Sequence, residues 1–167
     1  MDLGIRGRVA LCARNEKVLA ETADVIRKRF GVRVLERVLD VTDAEAVKNF
    51  VAATVERFGA VHIGVANGGG PPCKTFAETT IGDWQSASAM NFMSAVYLAR
   101  EMLPHMQRQK WGRFVTVTSI TVKQPTEGLI LSNLVRATVV AFLCSEKASY
   151  VSGSSLTIDG GAVKGIY

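Results

Sequence analysis

The chain has 167 residues, enough for one domain with a core of its own. Hydrophobic residues make up 48% and charged residues 21%, which excludes a disordered chain. The net charge of +5 is spread over scattered lysines and arginines with no aromatic-basic ladder, so a nucleic-acid surface is not expected.

Cys12, Cys73 and Cys144 make an odd count with no Cys-x-x-Cys pair and no histidine cluster nearby. Neither a disulfide framework nor a metal site is expected, and a reducing compartment fits. The start, MDLGIRGRV, lacks the apolar core of a signal peptide. No apolar run reaches the roughly 18 residues of a membrane span. A cytoplasmic protein without a membrane partner is the expectation.

Taken in order, Arg8–Cys12 is a short strand, and Asn15 caps a helix that runs to Phe30 and stops at Gly31. Its inner face is expected to carry Val18, Ala23, Ile26 and Phe30. Val32–Leu39 is the next strand, with Asp40 at its end. Thr42-Asp-Ala-Glu45 has the pattern of a capping box opening a helix to Phe58, with Val47, Phe50, Val51 and Val55 inward. Val61–Ala66 is an apolar strand containing His62, expected to be structural, and Asn67-Gly-Gly-Gly-Pro-Pro72 is a glycine-rich loop. A long helical region follows from about Asp83 to Gln109, where Pro104 is expected to bend it. Phe114–Thr118 reads as a buried strand, and a helix begins near Leu129 and runs through Leu143. Ser154–Ile158 is a last strand, stopped by Asp159-Gly160-Gly161. Strands alternating with helices imply parallel βαβ units in an α/β, doubly wound, mostly parallel sheet of Rossmann type, forming a single domain.

Chemistry in such a sheet collects just past the carboxyl ends of strands. Ser119 stands at such an end, followed by a polar loop through Pro125 and Gly128 and then an apolar helix. This stretch resembles the active-site segment of the short-chain dehydrogenase/reductase family, where a strand-end serine precedes a Tyr-x-x-x-Lys pair on the next helix. Ser132 and Arg136 stand at the tyrosine and lysine positions. Further resemblances are Asn67-Gly68-Gly69 to the family's Asn-Ala-Gly turn, Asn91 to its helix asparagine, and Ser152-Gly153 with Asp159-Gly160-Gly161 to its closing segment. The chain is similar to 3-oxoacyl-[acyl-carrier-protein] reductases.

Two family blocks are missing. The Thr-Gly-x-x-x-Gly-x-Gly loop should follow the first strand. Instead Gly4–Val9, like the start of that strand, runs into Leu11–Asn15, like the end of the second. Likewise the helix through Arg136–Val140 runs into Ala141–Tyr150, which reads like the family's last helix, without the strand and Pro-Gly loop between. The sheet is therefore expected to be incomplete. Breaks near Ala10–Leu11 and around Val140 would mark omitted residues, the reading preferred at this level; unbroken backbone there would mark an internally deleted relative with a rearranged sheet.

The resemblance implies roles. Ser119 would polarise a carbonyl oxygen, Ser132 would stand in for the tyrosine acid, and Arg136 would hold cofactor ribose or phosphate. Asn91 would hold a water in a proton relay. Arg14 would favour the 2′-phosphate of NADP, with NAD the other possibility; Asp40 and Val41 would contact adenine, and Asn67 and Gly68 would border the adenosine ribose. Each has a plainer alternative: a strand-end serine satisfying backbone, a helix serine open to the cleft, a surface arginine, a helix-bend asparagine, a helix-start arginine, ordinary turn residues. The implied activity is an oxidoreductase transferring hydride between NADP(H) and a small ketone or secondary alcohol, as a homo-oligomer. The alternative is a catalytically silent relative acting as a binding or assembly module.

Overall fold

The computed structural model describes residues 7–143. The expected last strand Ser154–Ile158, the closing segment around it and Cys144 lie outside them. Among the described residues the elements run β1 (Arg8–Ala13), α1 (Glu16–Phe30), β2 (Arg33–Val38), α2 (Ala44–Phe58), β3 (Ile63–Ala66), α3 (Ile81–Ser88), α4 (Ser94–Arg108), β4 (Arg113–Thr116) and α5 (Ile130–Leu143). A π-helical segment, Ala89–Met93, joins α3 to α4, and short 3-10 turns cover Phe76–Glu78 and Ile120–Val122.

Helix ends follow the sequence closely. The side chain of Asn15 accepts from the Val18 amide, and Gly31 and Gly59 close α1 and α2 in the left-handed conformation with φ of 63° and 86°. The cap of α2 differs from expectation. Asp43, not Thr42, accepts from the amides of Glu45 and Ala46. Thr42 instead gives its amide and hydroxyl protons to Asp40, 2.9 and 2.8 Å away. The carboxylate one residue closer to the helix captures the free amides. Thr80 and Asp83 form the reciprocal box, at the start of α3.

The strands form two parallel pairs rather than one sheet. β1 lies beside β2 from Arg8↔Arg33 to Ala13↔Val38, and β3 beside β4 from Ile63↔Arg113 to Ala66↔Thr116. β1 is unbroken through Ala10–Leu11, and α5 is unbroken through Val140.

The main core gathers Val47 and Val51 of α2 with Ala95, Leu98, Met102 and Met106 of α4. A second cluster packs Leu131 and Val135 of α5 on Ala87 of α3, beside Trp84 and Phe92. Full burial of an aliphatic side chain such as Leu131 or Val47 stabilises by about 1.5–3 kcal/mol.

Several face assignments shift. α1 buries Leu19 and Ala23 on a narrow i, i+4 stripe, while Val18 is 54% and Phe30 63% exposed. In α2, Thr54 and Phe58 join Val47 and Val51 in the interior, and Phe50 and Val55 are half-buried. The strand expected over Phe114–Thr118 is not buried: Val115 in β4 and Val117 just past it face outward, and Phe114 packs on the core. Only one face of the β3–β4 pair is covered by α4, so alternate residues see solvent. His62 precedes β3 rather than lying in a buried strand, and its ring sits 5.9 Å from that of exposed Trp111. Pro104 lies inside an uninterrupted α4; the irregular turn comes earlier, at the π segment.

Candidate active site

β3 and β4 end side by side, and their carbonyl ends meet three other pieces: the glycine loop after β3, the Ser119 turn after β4, and the inner face of α5. Ser119 caps the 3-10 turn. Its Oγ accepts from the Thr121 amide at 3.3 Å and the Thr121 hydroxyl at 3.1 Å. Thr121 Oγ1 in turn lies 3.5 Å from Ser132 Oγ. The three hydroxyls form one row across the gap between strand tip and helix, with Thr121 4% and Ser132 9% exposed. Ser132 is thus buried rather than open to a cleft.

Arg136 is one helical turn beyond Ser132. Its two terminal nitrogens donate to the carbonyls of Val117 and Gly69, each at 3.4 Å, so the guanidinium ties the ends of β3 and β4 to α5. Nε is buried without a partner, and burial pushes the guanidinium pKa down. Both effects leave positive charge short of acceptors at the strand tips.

The π segment explains Asn91. The extra residue in that turn puts the side chain inward, 7% exposed, with Nδ2 donating to the Ala87 carbonyl at 3.1 Å. Asn91 Oδ1 and the Met90 carbonyl face Gly68: a Cβ there would lie 2.7 Å from Met90 O and 3.1 Å from Asn91 Oδ1. Asn67 is exposed beside this contact.

Arg14 and Asp40 sit together at the carboxyl ends of β1 and β2, 3.8 Å apart and largely in solvent. Hydrogen bonds from the Thr42 amide and hydroxyl hold the Asp40 carboxyl below its usual range, with Arg14 adding to the effect. Val41 is half-buried against the main core. The candidate residues therefore fall into two groups, Arg14–Asp40–Val41 on the β1–β2 pair and the other six on β3–β4 and its helices.

Sequence reasoning missed Thr121 and the support beneath the loops. Thr121 had a visible signal, a hydroxyl residue two places after a strand-end serine, the pattern of a local side-chain turn. Lys74 also escaped notice. It pairs with Asp83 at 2.8 Å and bridges to Leu129, tying the glycine loop, α3 and the start of α5 together. The Lys74 bond and those from the Thr80 amide and hydroxyl hold the Asp83 carboxyl down at about 2. Among the described residues no cluster of His, Cys, Asp and Glu could hold a metal, and no helix is long and apolar enough to cross a membrane.

A model of the short chain dehydrogenase family matches residues 5–131. The chain belongs to the short-chain dehydrogenase family. It is 34% identical over 119 residues to a Streptomyces violaceoruber protein named as a candidate ketoacyl reductase of granaticin polyketide synthesis, covering 70% of this chain and 43% of that one. The structure of L-sorbose reductase from Gluconobacter frateurii, complexed with NADPH and L-sorbose, superposes with a TM-score of 0.77 at 32% identity. It covers 81% of this chain and 51% of that one. The NADPH-bound short chain oxidoreductase from Pseudomonas aeruginosa PAO1, described as containing an atypical catalytic center, gives the same score and identity, over 81% of this chain and 53% of that one. The chain thus spans about half the length of the relatives it matches.

Proposed function

We propose that the chain is an oxidoreductase passing hydride between NADP(H) and a ketone or secondary alcohol, with a serine–threonine–serine–arginine site in place of the family's tyrosine and lysine. The observation that carries this reading is the convergence of Ser119, Ser132 and Arg136 on the paired tips of β3 and β4. The likeness to ketoacyl and L-sorbose reductases supports a carbonyl substrate. The likeness to an NADPH-bound oxidoreductase with an atypical centre supports a functional departure from the usual residues.

The residues present fit the two nucleoside ends of the cofactor. Gly68 keeps a surface free of side chain beside Asn67 and Asn91, and the buried Nε of Arg136 lacks an acceptor. Arg14 is exposed and only loosely paired, free to take a 2′-phosphate. The diphosphate fits less well, since only Arg14 and Asn15 separate β1 from α1 and no glycine-rich N–H cradle lies between them. Asn67 and Gly68 would border a ribose, Asp40 and Val41 the adenine, and Arg136 the nicotinamide side. When bound, NADPH supplies the hydride.

The chain's own residues have the remaining tasks. Ser119 donates a hydrogen bond to the substrate oxygen as negative charge gathers there. Arg136 places a half-buried guanidinium one turn from Ser132. An alkyl hydroxyl titrates far above the roughly pH 10 of a phenol, so Ser132 is a weaker proton donor than tyrosine, and turnover is expected to be slow. Asn91, fixed through Ala87, faces the glycine loop from the opposite side.

NADPH oxidation with a panel of ketones tests the proposal. Turnover abolished by Ser119→Ala supports it. Cofactor binding by calorimetry without turnover of any ketone overturns it. The split sheet favours a second reading, a catalytically silent binding or assembly module; absence of both NADPH binding and turnover would select it. Homo-oligomerisation and a cytoplasmic setting belong to the same proposal and are tested by sedimentation and fractionation.

A further inference from the structure

We infer that Thr121 is a positioning residue that sets the direction of the Ser119 hydroxyl by joining it to Ser132. The inference rests on the functional reading of Ser119 above and adds a residue that reading did not require. A hydroxyl carries one proton and two acceptor positions. Ser119 Oγ accepts twice, from the amide and the hydroxyl of Thr121. Its own proton is therefore the group left to point at a substrate oxygen. Thr121 has given its proton to Ser119, so the 3.5 Å contact with Ser132 requires Ser132 to donate. The row then runs one way, from Ser132 through Thr121 to Ser119, and ends in a donor.

Burial gives that order its force. Thr121 and Ser132 are almost fully removed from water, so no solvent hydroxyl competes for the middle of the row. Hydrogen bonds in sequence polarise one another, most strongly where the local dielectric is low. Each donation into Thr121 strengthens its donation into Ser119, and Ser119 in turn becomes a better donor to an oxygen gaining charge. Ser132 thereby acts without reaching the substrate itself, which removes the difficulty that its side chain is much shorter than a tyrosine. No covalent change takes place along the row, which only orients the Ser119 donor; the proton that completes the alcohol is drawn slowly from water at the site.

The test pairs Thr121→Val, which keeps the shape and removes the hydroxyl, with Thr121→Ser, which keeps the hydroxyl. With NADPH and a turned-over ketone, Thr121→Val should lower kcat by about tenfold, leave the KM for NADPH unchanged, and be largely rescued in Thr121→Ser. A tenfold change is what loss of one ordinary hydrogen bond at the transition state predicts. Wild-type kcat in Thr121→Val, or no difference between the two variants, overturns the inference. A second measurement needs no activity: thermal melts of Ser119→Ala, Thr121→Val, Ser132→Ala and the two doubles containing Thr121→Val. If the row exists, each double melts well above the sum of its single losses, whereas additive losses refute it. A wild type that oxidises no NADPH sinks the proposed function and the catalytic half of this inference, while the melts still decide whether the row exists.

Discussion

Three consecutive glycines offer a graded test of how the site is braced. None of Gly68, Gly69 and Gly70 lies in the left-handed region, so alanine at any of them meets no backbone strain. What differs is the space. A Cβ at Gly68 would sit 2.7 Å from the backbone carbonyl of Met90, which belongs to the π segment and cannot rotate away. At Gly69 the neighbour is Met90 Sδ at 3.0 Å, the mobile part of a flexible side chain, and at Gly70 nothing lies within 4 Å. Replacing glycine by alanine where the backbone allows it stabilises by about 0.4–1 kcal/mol through the unfolded chain. Overpacking against fixed atoms costs about 1–3 kcal/mol. Gly68→Ala should therefore lose roughly 1–2 kcal/mol net, Gly69→Ala should be near neutral, and Gly70→Ala should gain up to about 1 kcal/mol. At about 2–4 °C per kcal/mol for a chain of this size, Gly68→Ala should melt roughly 2–8 °C low. Circular-dichroism melts with matched urea titrations read all three. A Gly68→Ala protein that melts with Gly70→Ala would mean that the loop does not rest on the π segment and that Asn91 is not held as described.

Acid should loosen the support beneath the loops. The Asp83 carboxyl is held at about 2 against an ordinary 3.8, so the stability it contributes is complete above about pH 4 and is lost as pH falls toward 2. An Asp83→Asn variant should show a flatter acid limb in pH-dependent melts than wild type, and an identical limb would exclude the Lys74–Asp83–Thr80 cluster as its source. The cap of α2 gives a paired comparison: Asp43→Ala should cost about 1 kcal/mol in urea unfolding, and Thr42→Ala clearly less at the helix end. The reverse order would restore the sequence expectation.

The parts of the fold legible in sequence were those set by neighbours along the chain. Asn15, Gly31 and Gly59 act within one turn, and the structure places them as helix ends. Hydrophobic spacing found the helical regions but ran α3 and α4 together as one, because i, i+4 contacts need no knowledge of the partner. Assignments that depend on what lies across the core were harder. Val115 and Val117 have the composition of a buried strand, and they are exposed because nothing among the described residues covers that face. The π segment was hidden for a similar reason: Ala-Met-Asn-Phe-Met has no breaker, and the widened turn is set by the fit of Asn91 against Ala87 and of Met90 against Gly68. The resemblance to the family's active-site segment brought Ser119, Ser132 and Arg136 into one neighbourhood on paper. It could not show that a threonine stands between the two serines, nor that Arg136 spends its ends on main-chain oxygens.

The division into two strand pairs shifts an unusual duty onto α2. This helix touches both β1 and β2 and also packs along α4, which lies on the β3–β4 pair. Arg14 and Asp40 ride on the first pair, Ser119 and Arg136 on the second. The distance between the end that would grip adenosine and the end that would do redox work is thus gauged by a single amphipathic rod. Trimming Val47 or Val51 would act as a loosened spacer. It should blur that separation and weaken recognition of a long two-headed ligand more than of either nucleoside half alone.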